Sequence, residues 1–138
     1  MSHQAGCLCG AVRLSFAADP LLGRTCWCRV CQTIASGSGT NNAAFRTEGM
    51  TAKGEIRWYA SVADSGRTIE RGFCPACGTH LMARAQGRTD LVMVRIGTLD
   101  DPELIAPQAQ IWVSSAPSWA PLDPNLPQHP KAPPPQST

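Results

Sequence analysis

Seven cysteines dominate the chemistry open to this 138-residue sequence, and they fall in three groups: Cys7 and Cys9; Cys26, Cys28 and Cys31; Cys74 and Cys77. An odd number of thiols leaves a disulfide framework unclosed. In a reducing compartment, spacings of C-x-C, C-x-C-x-x-C and C-x-x-C read as metal binding. Backbone turns across such short spacings aim neighbouring sulfurs at one tetrahedral ion, with Zn–S bonds of about 2.3 Å, so zinc is the expected metal. Cys7-Leu8-Cys9-Gly10 and Cys74-Pro75-Ala76-Cys77-Gly78 are each a pair of thiols followed by Gly, which permits the tight turn that points backbone N–H groups at sulfur. Two such knuckles make a closed, structural four-thiolate site. The other three cysteines can ligate a second ion and leave a fourth position open, as a catalytic zinc requires.

Spacing alone leaves this partition open. Cys28-x-x-Cys31 with Cys74-x-x-Cys77 would equally form a zinc ribbon, with Cys7, Cys9 and Cys26 left over. A redox reading of the C-x-x-C pairs is weaker, because neither pair opens a long helix in a βαβ context. A deaminase zinc site needs an upstream H-x-E, and none precedes Cys74. Buried thiols without metal are the bland and least favoured alternative.

The elements that must position these thiols read as mainly β. Val12, Leu14 and Phe16 alternate with Ala11, Arg13 and Ser15, which predicts a strand over 11–16, and Glu55 to Ala60 repeats the pattern. Further strands are expected over 44–47, 68–73, 79–85, 91–96 and 110–114, separated by Gly, Asn, Asp and Ser clusters. Short helices are expected over 29–35 and 102–105, the second with Asp101 as N-cap and Pro102 at the first helical position. Residues 117–138 hold eight of the twelve prolines and predict an extended or unstructured tail behind a zinc-binding domain over 1–116.

The balance of 12 basic and 10 acidic residues, with no basic stripe, argues against nucleic-acid binding. Apolar runs such as Leu91 to Val94 are too short to span a bilayer, and MSHQAGCLCG does not read as a signal peptide. No membrane association and a cytoplasmic location are expected.

Five ordered stretches, GCLCGAVRL, CWCRVC, RGFCPACGTHL, GTLDDP and QIWVSSAPSW, together resemble the glutathione-dependent formaldehyde-activating enzyme family, which includes centromere protein V, over about residues 5 to 120. The resemblance implies an all-β fold of curled antiparallel sheets, with Cys7, Cys9, Cys74 and Cys77 on a structural zinc and Cys26, Cys28 and Cys31 on a catalytic one, two zinc ions per chain. It implies a carbon–sulfur lyase, like an S-(hydroxymethyl)glutathione synthase, that joins a glutathione-like thiol to a small aldehyde such as formaldehyde. The cysteines would act as ligands and no side chain as nucleophile. The competing class is a non-catalytic zinc module that binds a protein partner or a small thiol. The chain departs from the family pattern where Trp27 and Gln110 replace His, and a proton-handling role for either His would put turnover at stake.

The remaining polar candidates have ordinary readings beside the functional ones. His80 reads first as a core or surface histidine, and His3 and His129 as terminal residues. Arg29 and Arg71 flank the cysteine groups and could offset a zinc–trithiolate or hold a substrate carboxylate, with solvated arginines at least as plausible. Trp112 and Trp119 fit either a cleft or plain packing.

Overall fold

The computed structural model describes residues 2–133. Its strands are β1 (His3–Gly6), β2 (Arg13–Phe16), β3 (Leu22–Cys26), β4 (Thr40–Arg46), β5 (Thr51–Lys53), β6 (Arg57–Val62), β7 (Thr68–Phe73), β8 (His80–Ala85), β9 (Leu91–Arg95) and β10 (Gln110–Ile111); one α-helix, α1, spans Arg29–Ile34. A small sheet runs in the order β1-β2-β5 and a seven-stranded sheet in the order β10-β3-β4-β9-β8-β7-β6. Among the described residues, every pairing between these strands is antiparallel except that of β10 with β3. The protein is therefore mainly β with curled, mixed sheets. Among the described residues, no helix is long and apolar enough to cross a membrane.

The core lies between the sheets, where Leu14 and Phe16 from β2 meet Phe45, Val92, Val94 and Leu81. The Phe16 and Phe45 rings stack at 4.2 Å between centroids. Strand alternation sends the neighbours of these core residues to the opposite face of the large sheet. On that face Arg24, Asn42 and Arg95 form one cross-strand row, and Met93, Ala83, Arg71 and Tyr59 form the next. A bulge where Phe73 pairs with His80, after Gly72 with Met82, lets both Leu81 and Met82 enter the core and carries His80 to the face of Arg71.

Several boundaries differ from expectation. The strand expected over 44–47 begins at Thr40, because the weakly strand-forming TNNAA run is paired on both sides by β3 and β9. The strand expected over 110–114 stops at Ile111, where Trp112 turns into the left-handed region (φ 58°) and Val113–Ser115 forms a 3₁₀ turn. No helix forms over 102–105; Asp101 Oδ1 accepts from the Glu103 N–H at 2.9 Å and its carbonyl accepts from Leu104 N–H, a local turn that replaces the helix. Strands β1, β3 and β5 were not expected at all. Residues 117–133 contain no helix, and they run beside β10, where Pro127 O accepts from Gln110 N–H at 2.9 Å and Gln110 O accepts from His129 N–H at 2.8 Å. The last five residues of the proline-rich segment, 134–138, lie outside the described residues.

Candidate metal centres

Two tight turns build the first site. Gly10 and Gly78 sit at φ +82° and +78°, their N–H groups donating to the carbonyls of Cys7 and Cys74, and a Cβ at either would meet nothing within 4 Å. Glycine is thus needed for the backbone conformation, not for space. The turns bring Cys7 and Cys9, before β2, against Cys74 and Cys77, between β7 and β8. The four sulfurs lie within 4.8 Å of one another, with Cys7–Cys9 at 3.6 Å and Cys9–Cys74 at 3.9 Å. A tetrahedron with Zn–S bonds of about 2.3 Å has S···S edges of about 3.8 Å, so the donors fit zinc. All seven cysteines are free thiols.

Hydrogen bonds favour thiolate at Cys7 and Cys77, whereas at Cys9, despite a hydrogen bond from Ala11 N–H, the Cys7 and Cys77 sulfurs push the thiol up to about 11. Val12 N–H donates to Cys7 Sγ at 3.2 Å, and Thr79 Oγ1, 3.1 Å from Cys77 Sγ, holds that thiol down to about 5. Cys74 is fully buried and belongs to the core.

The second site is local in sequence. Cys26 ends β3, Cys28 is the N-cap of α1, its sulfur accepting from Cys31 N–H at 3.4 Å, and Cys31 lies in the first turn. The helix ends after Ile34, one residue earlier than expected, as Ser36 and Gly37 adopt positive φ and Gly37 N–H donates to Gln32 O. Gln32 Nε2 donates to Trp27 O (2.8 Å) and Ser115 O (2.9 Å), fixing α1 against both flanking segments. The three sulfurs lie within 4.8 Å of one another. Cys26 and Cys28 hold the Cys31 thiol far below its ordinary range, aided by Thr40 and the Arg95 charge, while Cys28 and Cys31 push Cys26 up. Three thiols this close cannot all ionise without a cation among them, and three sulfurs suit a thiophilic ion with one position left for a ligand.

Among the described residues, the sulfurs gather as these four and these three, and Cys28 and Cys31 do not group with Cys74 and Cys77. A cleft of about 140 Å³ opens on the triad alone, lined by Cys26, Cys28 and Cys31 together with Arg24, Arg71 and Arg95. Asp64, in the β6–β7 turn, and Trp112 also line it. Arg71 and Arg95 are 6% and 8% exposed. Burial holds the guanidinium pKa values of Arg24 and Arg95 below the usual arginine value.

Arg29, by contrast, is exposed and donates to Gln32 Oε1, away from the cleft. His80 joins neither cysteine group; it lines a neighbouring groove with Val30, Tyr59 and Phe73, its Nδ1 buried without a partner. His3 pairs with Asp19 at 2.7 Å, and Trp119 is 69% exposed.

Both departures from the family pattern lie off the cleft. Trp27 is buried, its ring near Gly39, and does not line it. Gln110 Nε2 donates to Asp123 O (2.8 Å) and its Oε1 accepts from Asp123 N–H (2.9 Å), so its amide clamps residue 123. Arg24, Asn42, Asp64 and Arg95 escaped the sequence reading. Only Arg24, two residues before Cys26 on one strand, carried a usable signal; Asn42 and Arg95 reach the cleft through strand pairing, and Asp64 through the β6–β7 turn.

A crystallographically solved Rhodobacter sphaeroides protein superposes with a TM-score of 0.55 at 19% identity, covering 72% of this chain and 92% of that one, which supports the fold alone. No curated protein matches the sequence. The sequence model described as glutathione-dependent formaldehyde-activating enzyme matches residues 2–115, and the chain belongs to that family.

Proposed function

We propose that the protein is a zinc-dependent carbon–sulfur lyase acting on a glutathione-like thiol and formaldehyde. The observation that carries this reading is the asymmetry between the cysteine groups: four thiols form a closed set tied to the core, while three line an open cleft. Cys7, Cys9, Cys74 and Cys77 would hold the structural ion, and Cys26, Cys28 and Cys31 the second. A zinc ion on the triad would supply a Lewis-acid position at which a thiol loses its proton at neutral pH.

The chain's own residues do the rest. Cys28, fixed as the α1 N-cap, and Cys31, held by the same helix turn, orient the triad toward the cleft. Ile111 and Trp112 contribute apolar surface to its lining. In the overall reaction the thiol sulfur bonds to the aldehyde carbon and the thiol proton ends on the carbonyl oxygen; the reverse breaks that C–S bond. No side chain is consumed.

The test is to titrate cobalt-substituted protein with glutathione and to follow formaldehyde–glutathione exchange by NMR. New sulfur-to-metal bands and an accelerated exchange are expected. Unchanged bands at millimolar glutathione, with both sites occupied, would replace the enzyme reading with a zinc module.

A further inference from the structure

We propose that the triad cleft selects thiols that carry a carboxylate, and that Arg95 and Arg71, with Arg24 in the same lining, are the residues that hold it. This deepens the lyase reading and rests on it for the position of the thiol sulfur at the triad.

The arginines are brought together by register. Arg24, Asn42 and Arg95 lie side by side across β3, β4 and β9, and Arg71 lies in the adjoining row. Of the Arg95 nitrogens, Nη1 donates to Asn42 Oδ1 at 2.6 Å, whereas Nε and Nη2 are buried with no partner. Arg71 Nη1 donates to Ser61 Oγ at 3.0 Å. Among the described residues, none of the three guanidinium groups forms an ion pair with a carboxylate. Leaving a buried cation unpaired is costly, because low dielectric removes its hydration without replacing it.

The cysteines offset only part of this charge. Three thiolates around a divalent ion carry a net −1, and among the described residues Asp64 is the single carboxylate in the lining, its Oδ2 accepting from Arg29 N–H at 3.4 Å. Three guanidinium groups therefore retain excess positive charge beside the open position. A guanidinium fork with two free nitrogens matches a carboxylate, whereas a neutral aldehyde gains nothing from it. The selectivity consequently falls on the thiol partner.

The experiment measures binding to zinc-loaded protein by calorimetry, using S-methylglutathione, whose sulfur is blocked, and its dimethyl ester. The acid should bind about ten- to hundredfold more tightly than the ester. Arg71→Met and Arg95→Lys should weaken the acid and leave the ester unchanged. Equal affinity of acid and ester, no binding of the acid, or an unchanged Kd in both variants would overturn the proposal, leaving the arginines as counter-charges to the thiolates. The blocked sulfur makes the result independent of turnover. Ester-sensitive binding without formaldehyde–glutathione exchange would refute the lyase reading and keep this one, and exchange with ester-tolerant binding would do the opposite.

Discussion

Replacing Cys74 with Ser tests whether the four-cysteine group holds the fold together. Its thiols join segments 65 residues apart, so the unfolded chain must close a long loop to assemble them. Apparent zinc binding of about 10–16 kcal/mol, spread over four thiolates, places roughly 2.5–4 kcal/mol on each. A hydroxyl buried at the fully enclosed Cys74 position adds a penalty of about 1–3 kcal/mol. The sum of about 3.5–7 kcal/mol approaches the whole net stability of a small domain, about 5–15 kcal/mol. At roughly 3–5 °C per kcal/mol, Cys74→Ser should lower Tm by at least about 10 °C or prevent folding.

Cys28→Ser provides the contrast. Its sulfur caps α1, and Ser is a favoured N-cap. The triad spans six residues, so the unfolded chain can chelate metal almost as readily as the folded one, which shrinks the stabilisation. A loss of about 1 kcal/mol, roughly 3–5 °C, is expected. Circular-dichroism melts of both variants, with zinc content measured on the same samples, decide the matter. Coinciding melting temperatures, with one zinc lost from each, would refute the division into structural and open sites.

Elemental analysis of freshly purified protein should give two zinc ions per chain, and one in Cys28→Ser; one or none in the parent would break the partition. Burial, Arg95 and Arg71 hold His80 below its usual pKa, so the folded state binds fewer protons than the unfolded one just below pH ~6.5, and stability should fall as pH drops through that value. Urea midpoints that decline equally in His80→Gln would locate the effect elsewhere. Gln110→Leu removes both hydrogen bonds to Asp123 and should cost about 1–3 kcal/mol with glutathione binding unchanged. Trp27→His should destabilise by about 2–4 kcal/mol through the cavity it leaves, without altering the cobalt–thiol spectrum, because position 27 does not line the cleft; a shifted spectrum would contradict that placement.

Short-range chemistry was legible without coordinates. The two knuckles, the C-x-C-x-x-C triad and α1 depend on residues within a few positions of one another, and Gly10 and Gly78 take the positive φ that their turns demand. Strand β7 was legible to the residue, and β2 and β9 nearly so, because their side chains either alternate or are rich in β-branched types. Family motifs supplied the pairing of Cys7 and Cys9 with Cys74 and Cys77, which spacing had left open. Tertiary structure decided the rest. Strand β4 exists because two neighbours pair with a run of weak strand formers, and the 102–105 helix fails because Asp101 satisfies its backbone in a turn. The bulge between β7 and β8 turned His80 out of the core. Arg24, Arg71 and Arg95 meet at the triad only because register across non-consecutive strands sets which side chains share a face. Register is a property of pairings between distant segments, so no local pattern in the chain encodes it.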